Sequence, residues 1–494
     1  MRKRILALLC SFVLLLGCGV PMLMTNAAVN RGEGEAALLQ EGEFDLETAK
    51  SAQFASMSTA AVQSAEDSIY QQLLDVSSSI DVRQYKISAN DIGNLYAKVI
   101  NDHPDLFYVA SSYGYSYYAD NTVAYVSPYY AMTADEIDAA KDIFDAGVAE
   151  ALAEVDDSMN DEQKAVALHD YICSKALYPV LEYDSNGYLV NDEDIWHSAY
   201  GFFYNQTVVC AGFTLAYSYL MNLLGIPCEY VSSDSMQHAW NKVKLGSCWY
   251  NVDLTFDNFD RYSGVNTYGS VKHYHLLKSD AYFSSESGSC HYDGETYEDT
   301  SANDTSYDNA FFNDVTARIF AVGGDYYYLK TGSVKSVSYL KKRTQNGDES
   351  NLTGYFTSVS LNWTSKVRDS DDVLHTITFP DTLTRLAYLD NRFYVIADKK
   401  LYAVTLNGTK NTVTPLDDYC NGFEVDNAKN LIFQTYRNND VNTLDKLSYF
   451  TDYLTASKDA NGTSDNYNNY PDVNLDGAVN AKDYALILEQ REMR

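Results

Sequence analysis

The sequence is short of cysteine for a chain of 494 residues, and this shortage excludes two classes of protein. There are 8 cysteines, of which two lie in the first twenty residues. The others are widely scattered, at Cys173, Cys210, Cys228, Cys248, Cys290 and Cys420. Such spacing is not typical of a small disulfide-stapled domain or of a structural zinc motif.

Positive charge is also scarce. The chain has 36 Lys and Arg against 68 Asp and Glu, so its formal net charge is −32, which becomes −35 if Arg2, Lys3 and Arg4 are removed with a cleaved leader. So acidic a chain is a poor partner for nucleic acid or an anionic membrane. Beyond the leader no apolar run is long enough to cross a bilayer, and no transmembrane segment is expected in the mature chain.

The first 28 residues have the pattern of a signal peptide. A basic start precedes an apolar stretch from Ile5 to Leu16, and small residues suited to cleavage follow at 25–28. We expect a secreted, extracellular protein. An alternative is that the sequence before Cys18 resembles a bacterial lipobox, which would make Cys18 a lipid-bearing N-terminus.

Composition divides the rest of the chain into five parts. Residues 29–64 are rich in Ala, Glu and Ser and are predicted to be a poorly ordered leader. Residues 65–300 mix helical and strand patterns. Residues 307–453 contain short alternating strands and predict an all-β module, 454–470 read as a linker, and 471–494 form a small acidic tail.

A candidate nucleophile lies at the start of a predicted helix. Cys210 begins a run in which apolar residues recur at helical spacing, and Gly225 and Pro227 end it. A helix N-terminus favours the thiolate, and its unpaired N–H groups could receive an oxyanion. Gln206 is a possible second oxyanion donor.

The predicted strands that follow bring a base and a carboxylate together. Strands over 238–245 and 248–252 are joined by the turn Gly246-Ser247, which places Trp240 opposite Asp253. His238 is then the diagonal neighbour of Asp253 on the same face, within roughly 7 Å. This spacing predicts that Asp253 orients His238 and that His238 takes the proton of Cys210.

The stretch closely resembles the transglutaminase-like superfamily. The resemblance lies in AYGFF (199–203), VCAGF (209–213), LGIPCEYV (224–231), HAWNKV (238–243) and WYNVDLTFD (249–257). It implies an α+β, papain-like core with an N-terminal α+β extension, in which Cys210 is the nucleophile, His238 the base and Asp253 its orienter. Relatives cross-link glutamine to lysine, deamidate, hydrolyse peptide bonds or have lost activity, so the family leaves the reaction open.

Other histidines invite a different interpretation. His273 and His275 would share one face of a strand, and His291 is the nearest third ligand for zinc. We instead expect a strand over 274–283 that closes the catalytic core. His169, on a helix, is interpreted as a structural or surface residue.

In the β module, FAVGGDYYYLK (320–330) and AYLDNRFYVIA (387–397) read as one hairpin used twice. This favours degenerate propeller-type repeats, and a sandwich is equally compatible. Its aromatic residues could line a sugar- or peptide-binding face, although cross-strand packing is the commoner use.

The tail contains a twelve-residue calcium loop. The predicted Ca²⁺ ligands are oxygens of Asp472, Asn474, Asp476, Ala478 (through its backbone carbonyl), Asn480 and Asp483. With the helix after it, the loop resembles one dockerin repeat, where dockerins normally have two. The resemblance implies docking to a cohesin-type scaffold of a cellulosome-like assembly, with partner contacts at Ala481 and Lys482.

These observations predict an exported thiol enzyme that acts on protein or peptide amide bonds through a Cys210 thioester, needs no cofactor for catalysis, and docks through a calcium-stabilised tail. We favour hydrolysis over cross-linking because an exported enzyme meets more water than acceptor amine. The alternative is a catalytically inactive peptide- or glycan-binding scaffold protein in a polysaccharide-degrading assembly. No pair of carboxylates stands out for glycosidic chemistry.

Overall fold

A computed structural model describes residues 28–29, 37–43, 59–179, 181–182, 184, 189–258, 268–285, 288–296, 300–332, 337–358, 360–368, 374–382, 384–426, 429–435 and 441–444. The predicted signal peptide, except Ala28, and the whole dockerin-like tail lie outside these residues. The chain divides into two compact units: Met1–Glu43, Phe54–Gly93 and Ala110–Tyr129 form unit 1, and Phe44–Gln53, Asn94–Val109 and Tyr130–Arg494 form unit 2.

Unit 1 contains a helix and an antiparallel sheet of strand order β1-β2-β4-β5-β3. The strands are β1 (Ala28–Val29), β2 (Ala37–Glu43), β3 (Ile80–Asp81), β4 (Val109–Tyr117) and β5 (Val123–Tyr130). Helix α1 (Thr59–Leu74) buries Ala65, Ile69 and Leu73 along one face. The structure differs from the predicted poorly ordered leader over 29–64, because Val29 and Ala37–Glu43 lie in strands and α1 begins at Thr59.

The other α-helices of the described residues lie between residues 92 and 283. They are α2 (Ile92–Asp102), α3 (Ala134–Leu152), α4 (Asp161–Lys175), α5 (Ala199–Asn205), α6 (Cys210–Leu223), α7 (Leu254–Asp257) and α8 (Asp280–Phe283). Two begin with complete capping boxes, Thr133 with Glu136 for α3 and Asn160 with Gln163 for α4. The reciprocal hydrogen bonds fix where these helices start.

One antiparallel sheet carries the site, in the order β6-β7-β8. Its strands are β6 (Cys228–Ser233), β7 (His238–Leu245) and β8 (Cys248–Val252). Leu245 pairs with Cys248 and Asn241 with Val252, which is the predicted register. Gly246 takes a positive φ of 62° in the connecting turn, a conformation that glycine adopts without strain. Helices α3 to α6 and this sheet share one hydrophobic core.

The C-terminal part is rich in β-strands, as the alternating pattern predicts. They are β9 (Phe320–Val322), β10 (Asp325–Thr331), β11 (Val337–Arg343), β12 (Glu349–Asn351), β13 (Phe356–Thr357), β14 (Ser360–Arg368), β15 (Leu374–Thr382), β16 (Thr384–Leu389), β17 (Arg392–Ala397), β18 (Lys400–Thr405), β19 (Lys410–Pro415), β20 (Cys420–Val425), β21 (Leu431–Thr435) and β22 (Val441–Leu444). They form four successive sheets, β9–β13, β14–β15, β16–β19 and β20–β22, whose pairings are all antiparallel.

The two hairpins predicted to be alike have the same construction. β9 and β10 are joined at Gly323 and Gly324, and β16 and β17 at Asp390 and Asn391; all four turn residues have positive φ. The described residues are thus a mixed α and β core followed by a β-rich region. Among them no helix has both the length and the apolar character to span a membrane.

Candidate active site

Cys210 is the first residue of α6, as the sequence predicts. Hydrogen bonds hold the backbone just before it and at its own carbonyl. The preceding Val209 N–H donates to the carbonyl of Trp196 at 3.0 Å, and the Thr214 hydroxyl donates to the carbonyl of Cys210 at 2.8 Å. No side chain caps the helix N-terminus. Cys210 is only 5% exposed.

His238 begins β7 and is hydrogen-bonded to Asp253. Its Nε2 lies 2.7 Å from Asp253 Oδ2, and both side chains are buried. Because Nε2 is engaged by the carboxylate, Nδ1 is the ring nitrogen left for a thiol proton. Asn241, on the same strand, donates to the carbonyl of Thr214 at 3.0 Å and so ties β7 to the first turns of α6.

Asp253 caps the short helix α7. Its Oδ1 accepts from the Phe256 N–H at 3.0 Å, and its own N–H donates to the carbonyl of His275. Burial alone would raise the pKa of this carboxyl, but His238 and His291 hold it well below its usual range. The group is therefore a fixed carboxylate rather than a proton donor.

His291 is a second histidine on the same carboxylate, and no sequence pattern predicts it there. Its Nε2 lies 2.8 Å from Asp253 Oδ2, and its Nδ1 lies 2.6 Å from the carbonyl oxygen of Gly288. The ring packs against Phe283, Phe256 and Trp240, with centroids 4.5, 4.9 and 5.0 Å away.

The three histidines considered for zinc do not converge. His273 is hydrogen-bonded to Asp170, His275 to Asp257 and His291 to Asp253, so each histidine contacts a different carboxylate.

The prediction of a strand over 274–283 is wrong. A turn follows His273, and α8 (Asp280–Phe283) occupies the end of that stretch, capped by the Ser279 side chain. The Ser279 hydroxyl accepts a hydrogen bond from the Tyr282 N–H, and this cap favours a helix over an extended chain.

A second buried cluster lies around Asp170. Its Oδ1 is 2.9 Å from both His169 Nδ1 and His273 Nε2, and its Oδ2 accepts from the Ile319 N–H at 2.6 Å. The other nitrogen of His169 is 3.3 Å from Asp257 Oδ2. His169 is fully buried and is therefore a structural residue and not a surface one.

Electrostatics in this cluster follow from its burial. Burial opposes the charge of His169, but Cys173, Asp170 and Asp257 raise the pKa of His169 well above its usual value. Burial would raise the pKa of Asp170, which His273 and His169 nevertheless lower to about 2. The Cys173 thiol has its pKa raised to about 11 by burial, so it is not an activated nucleophile.

Gln206, considered as an oxyanion donor, ends α5 in the left-handed conformation at φ 63°. Its carbonyl accepts from the Leu177 N–H at 2.6 Å. A left-handed conformation at a non-glycine residue so close to Cys210 is the kind of strain that surrounds functional sites.

Comparison with known proteins places this region in a family. Residues 149–254 match the Transglutaminase-like superfamily. The match contains Cys210, His238 and Asp253, and the chain thus has a transglutaminase-like domain. A solved structure described as "Crystal structure of a TGase" is 14% identical, with a TM-score of 0.21; the alignment covers 32% of this chain and 46% of that one, less than half its length. No curated protein matches the chain.

The predicted calcium ligands and docking residues lie outside the described residues, as does Cys18. These are Asp472, Asn474, Asp476, Ala478, Asn480, Asp483, Ala481 and Lys482.

Proposed function

We propose that this chain is a cysteine enzyme of the transglutaminase-like type that acts on amide bonds of proteins or peptides. One observation supports this above the others: His238 Nε2 lies 2.7 Å from Asp253 Oδ2 on a strand that is tied to the helix that Cys210 begins. A base oriented by a carboxylate, near a thiol at a helix N-terminus, is the arrangement that activates a cysteine nucleophile.

The chemistry would proceed in two stages. His238 Nδ1 takes the Cys210 proton, and the thiolate attacks the amide carbonyl carbon. The resulting oxyanion would lie at the N-terminus of α6, where the backbone N–H groups of the first turn point out of the helix. His238 then gives its proton to the departing amine as the C–N bond breaks, leaving a thioester.

The thioester is resolved when an acceptor attacks its carbonyl and gives its proton to His238. Water yields an acid, and an amine yields a new amide; the thiol is restored in either case. We favour water, because an exported enzyme meets far more water than acceptor amine.

The test is the pH dependence of alkylation at Cys210, read by peptide mapping in the wild type and in His238→Ala. The exposed Cys290 is an internal reference thiol in the same molecule. We expect Cys210 to react at lower pH than an ordinary thiol of pKa about 8.5, and His238→Ala to remove the difference. If the alkylation of Cys210 has the pH dependence of an ordinary thiol, and if His238→Ala does not change it, the proposed enzyme function is refuted.

The second candidate is a peptide- or glycan-binding protein without activity. The observation that favours it is the 5% exposure of Cys210, which leaves little thiol surface for a substrate. Under this proposal the iodoacetamide reaction at Cys210 is slower than at Cys290 at every pH, in the wild type as in His238→Ala.

We also propose that the protein is exported and that residues 471–494 bind Ca²⁺ and dock to a cohesin-type scaffold. The support is the spacing of the oxygen ligands Asp472, Asn474, Asp476 and Asp483 around Gly477. Calorimetric titration of the full chain with CaCl₂ should show a site that Asp472→Ala with Asp476→Ala abolishes. An unchanged titration in that variant would contradict the calcium loop.

A further inference from the structure

A cavity of about 500 Å³ lies apart from the candidate active site, since none of Cys210, His238 and Asp253 lines it. It is enclosed by the end of α3 and the residues after it, by α4, by β9, by the turn between β16 and β17, and by β20, all of which belong to unit 2. Its volume falls within the range of about 300–1,000 Å³ that is typical of small-molecule sites. The groups that line the cavity therefore decide what it binds.

Glu424, on β20, lines this cavity with a carboxylate that the fold does not satisfy. The residue is 5% exposed, and its Oε2 is buried without a hydrogen-bond partner among the described residues. A buried charge without a partner is costly, and folded proteins normally pair such groups. Burial raises the pKa of Glu424 to about 7, and this shift is the electrostatic sign of that cost. An unpaired carboxylate at a cavity wall is more typical of a binding site than of a packed core.

Two ion pairs stand close to Glu424, but each of their cations already has a carboxylate of its own. Lys175 Nζ lies 2.9 Å from Glu150 Oε1, and Arg318 Nη2 lies 2.6 Å from Glu154 Oε2. All four groups act on Glu424: Lys175 and Arg318 lower its pKa, and Glu154 and Glu150 raise it. Three carboxylates and two cations leave one negative charge, which the cavity wall itself does not balance.

The rest of the lining combines acidic and apolar side chains. Asp156, Asp390 and Asp426 line the cavity with one further cation, Lys429, and Asp156 and Asp390 are exposed. The apolar part of the lining includes Val155, Met159, Ile319, Phe320, Leu389 and Val425. A ligand with a positive end and a short hydrocarbon body matches both kinds of surface.

A divalent metal ion fits this cavity less well. Among the described residues, two groups of His, Cys, Asp or Glu bring three ligand atoms within 4.8 Å of one another, and neither includes Glu150, Glu154 or Glu424. Calcium and magnesium are held by several oxygen ligands that converge on one point. A single carboxylate is instead matched by a single ammonium group, whose N–H donors it accepts in charge-assisted hydrogen bonds.

We propose that this cavity binds a primary alkylammonium ion, with its ammonium group on the Glu424 carboxylate and its alkyl chain along the apolar lining. The group is carried by a free diamine or by a lysine side chain of another protein. The ammonium supplies the positive charge that the wall lacks, and the exposed Asp156 and Asp390 attract a second positive charge. The inference goes beyond the proposed function and does not depend on it, because the site contains no part of the Cys210 machinery.

The experiment is calorimetric titration of the full-length protein at pH 8 with three probes. Cadaverine is the free diamine, Nα-acetyl-lysine amide stands for a lysine side chain, and 1,5-pentanediol has the same carbon chain as cadaverine without the charge. We expect an amine to bind at one site and the diol not to bind. The amine that binds more tightly identifies the source of the ammonium group. Failure of both amines to bind, or binding of the diol as tight as that of cadaverine, overturns the proposal.

Glu424→Gln is the decisive variant, because it keeps the size of the side chain and removes its charge. The affinity for the amine should fall roughly tenfold or more, the usual result of losing a hydrogen bond to a charged group. Glu162→Gln is the matched control. Glu162 lines a different cavity, where it accepts from the hydroxyls of Tyr307 and Tyr326 at 2.8 and 2.9 Å, and its loss should leave the affinity unchanged. Amine binding that survives Glu424→Gln reflects the overall acidity of the chain and overturns the proposal.

A second measurement uses the wild type alone and so does not require any variant to fold. Met159 lines the cavity, whereas Met221 is buried in the core and does not line it. In spectra of protein labelled at the methionine methyl groups, cadaverine should shift the Met159 signal and leave the Met221 signal in place. A Met159 signal that stays in place while cadaverine binds would locate the amine elsewhere and overturn the proposal.

Discussion

Asp170 is a buried carboxylate whose loss should destabilise the core. It is fully buried and accepts hydrogen bonds from His169, His273 and the Ile319 N–H at 2.9, 2.9 and 2.6 Å. Asp170→Asn keeps the size of the side chain but leaves only one acceptor oxygen for the three donors. The new NH₂ group would point at N–H donors, with which it cannot form hydrogen bonds. His169, whose pKa is raised in the fold, then loses a carboxylate that balances its charge.

The expected cost is about 3–5 kcal/mol in the free energy of unfolding, the usual result of removing one member of a buried ion pair. Asp192→Asn is the matched control, because Asp192 lies 2.7 Å from His197 Nε2 but its side chain is 43% exposed. An exposed pair of this kind contributes at most about 1 kcal/mol.

Urea unfolding followed by tryptophan fluorescence measures both variants. Trp196 and Trp240 are buried in the same unit as Asp170 and report on its transition. If Asp170→Asn lowers the midpoint no more than Asp192→Asn does, the cluster contributes no more than a surface pair and the reasoning is wrong.

The stability difference between the wild type and Asp170→Asn should depend on pH in a defined direction. The folded pKa of Asp170 is about 2, below its ordinary 3.8, so its contribution is present above about pH 4 and is lost as pH falls through 2. The pKa of His169 is raised in the fold, so its contribution is present below about pH 6.5 and is lost as pH rises through that raised value. The wild type should therefore exceed Asp170→Asn most between about pH 4 and 6.5.

Two further predictions concern other buried positions. In Gly212→Ala the new Cβ would lie 2.5 Å from the Trp196 carbonyl oxygen, so we expect a loss of about 1–3 kcal/mol by urea unfolding and slower alkylation of Cys210; unchanged values would contradict the close packing of this turn. Burial raises the pKa of Glu424 from 4.5 to about 7, which makes the wild type lose stability as pH rises from about 4.5 to 7. Glu424→Gln should remove that loss, a gain of up to about 3 kcal/mol above pH 7, and a variant less stable than the wild type at pH 8 would show that the carboxylate is needed.

Short-range sequence patterns account for the parts of the candidate site that could be predicted. The turn Gly246-Ser247 fixes the pairing of β7 with β8, and this register by itself brings His238 to Asp253. The start of α6 at Cys210 is likewise encoded nearby, in the apolar spacing that follows it. Neither element needs information from a distant part of the chain.

His291 could not be found in this way, because no local pattern links it to Asp253, 38 residues earlier. Its position depends on α8 and on the pairing of Glu295 with Ser232, which are tertiary contacts. The incorrect strand over 274–283 shows the same limit, since alternation within ten residues did not reveal the Ser279 cap.

The short helix α7 explains why the two histidine clusters are linked. Asp253 precedes it and accepts from His238, and Asp257 ends it and accepts from His275 and, at 3.3 Å, from His169. The backbone of residue 275 also joins the clusters, since its N–H donates to Asp257 while its carbonyl accepts from the Asp253 N–H. One turn of helix thus holds the orienting carboxylate between the candidate active site and the buried Asp170 cluster. Loss of that cluster should therefore reduce the stability of the core and the alignment of His238 together.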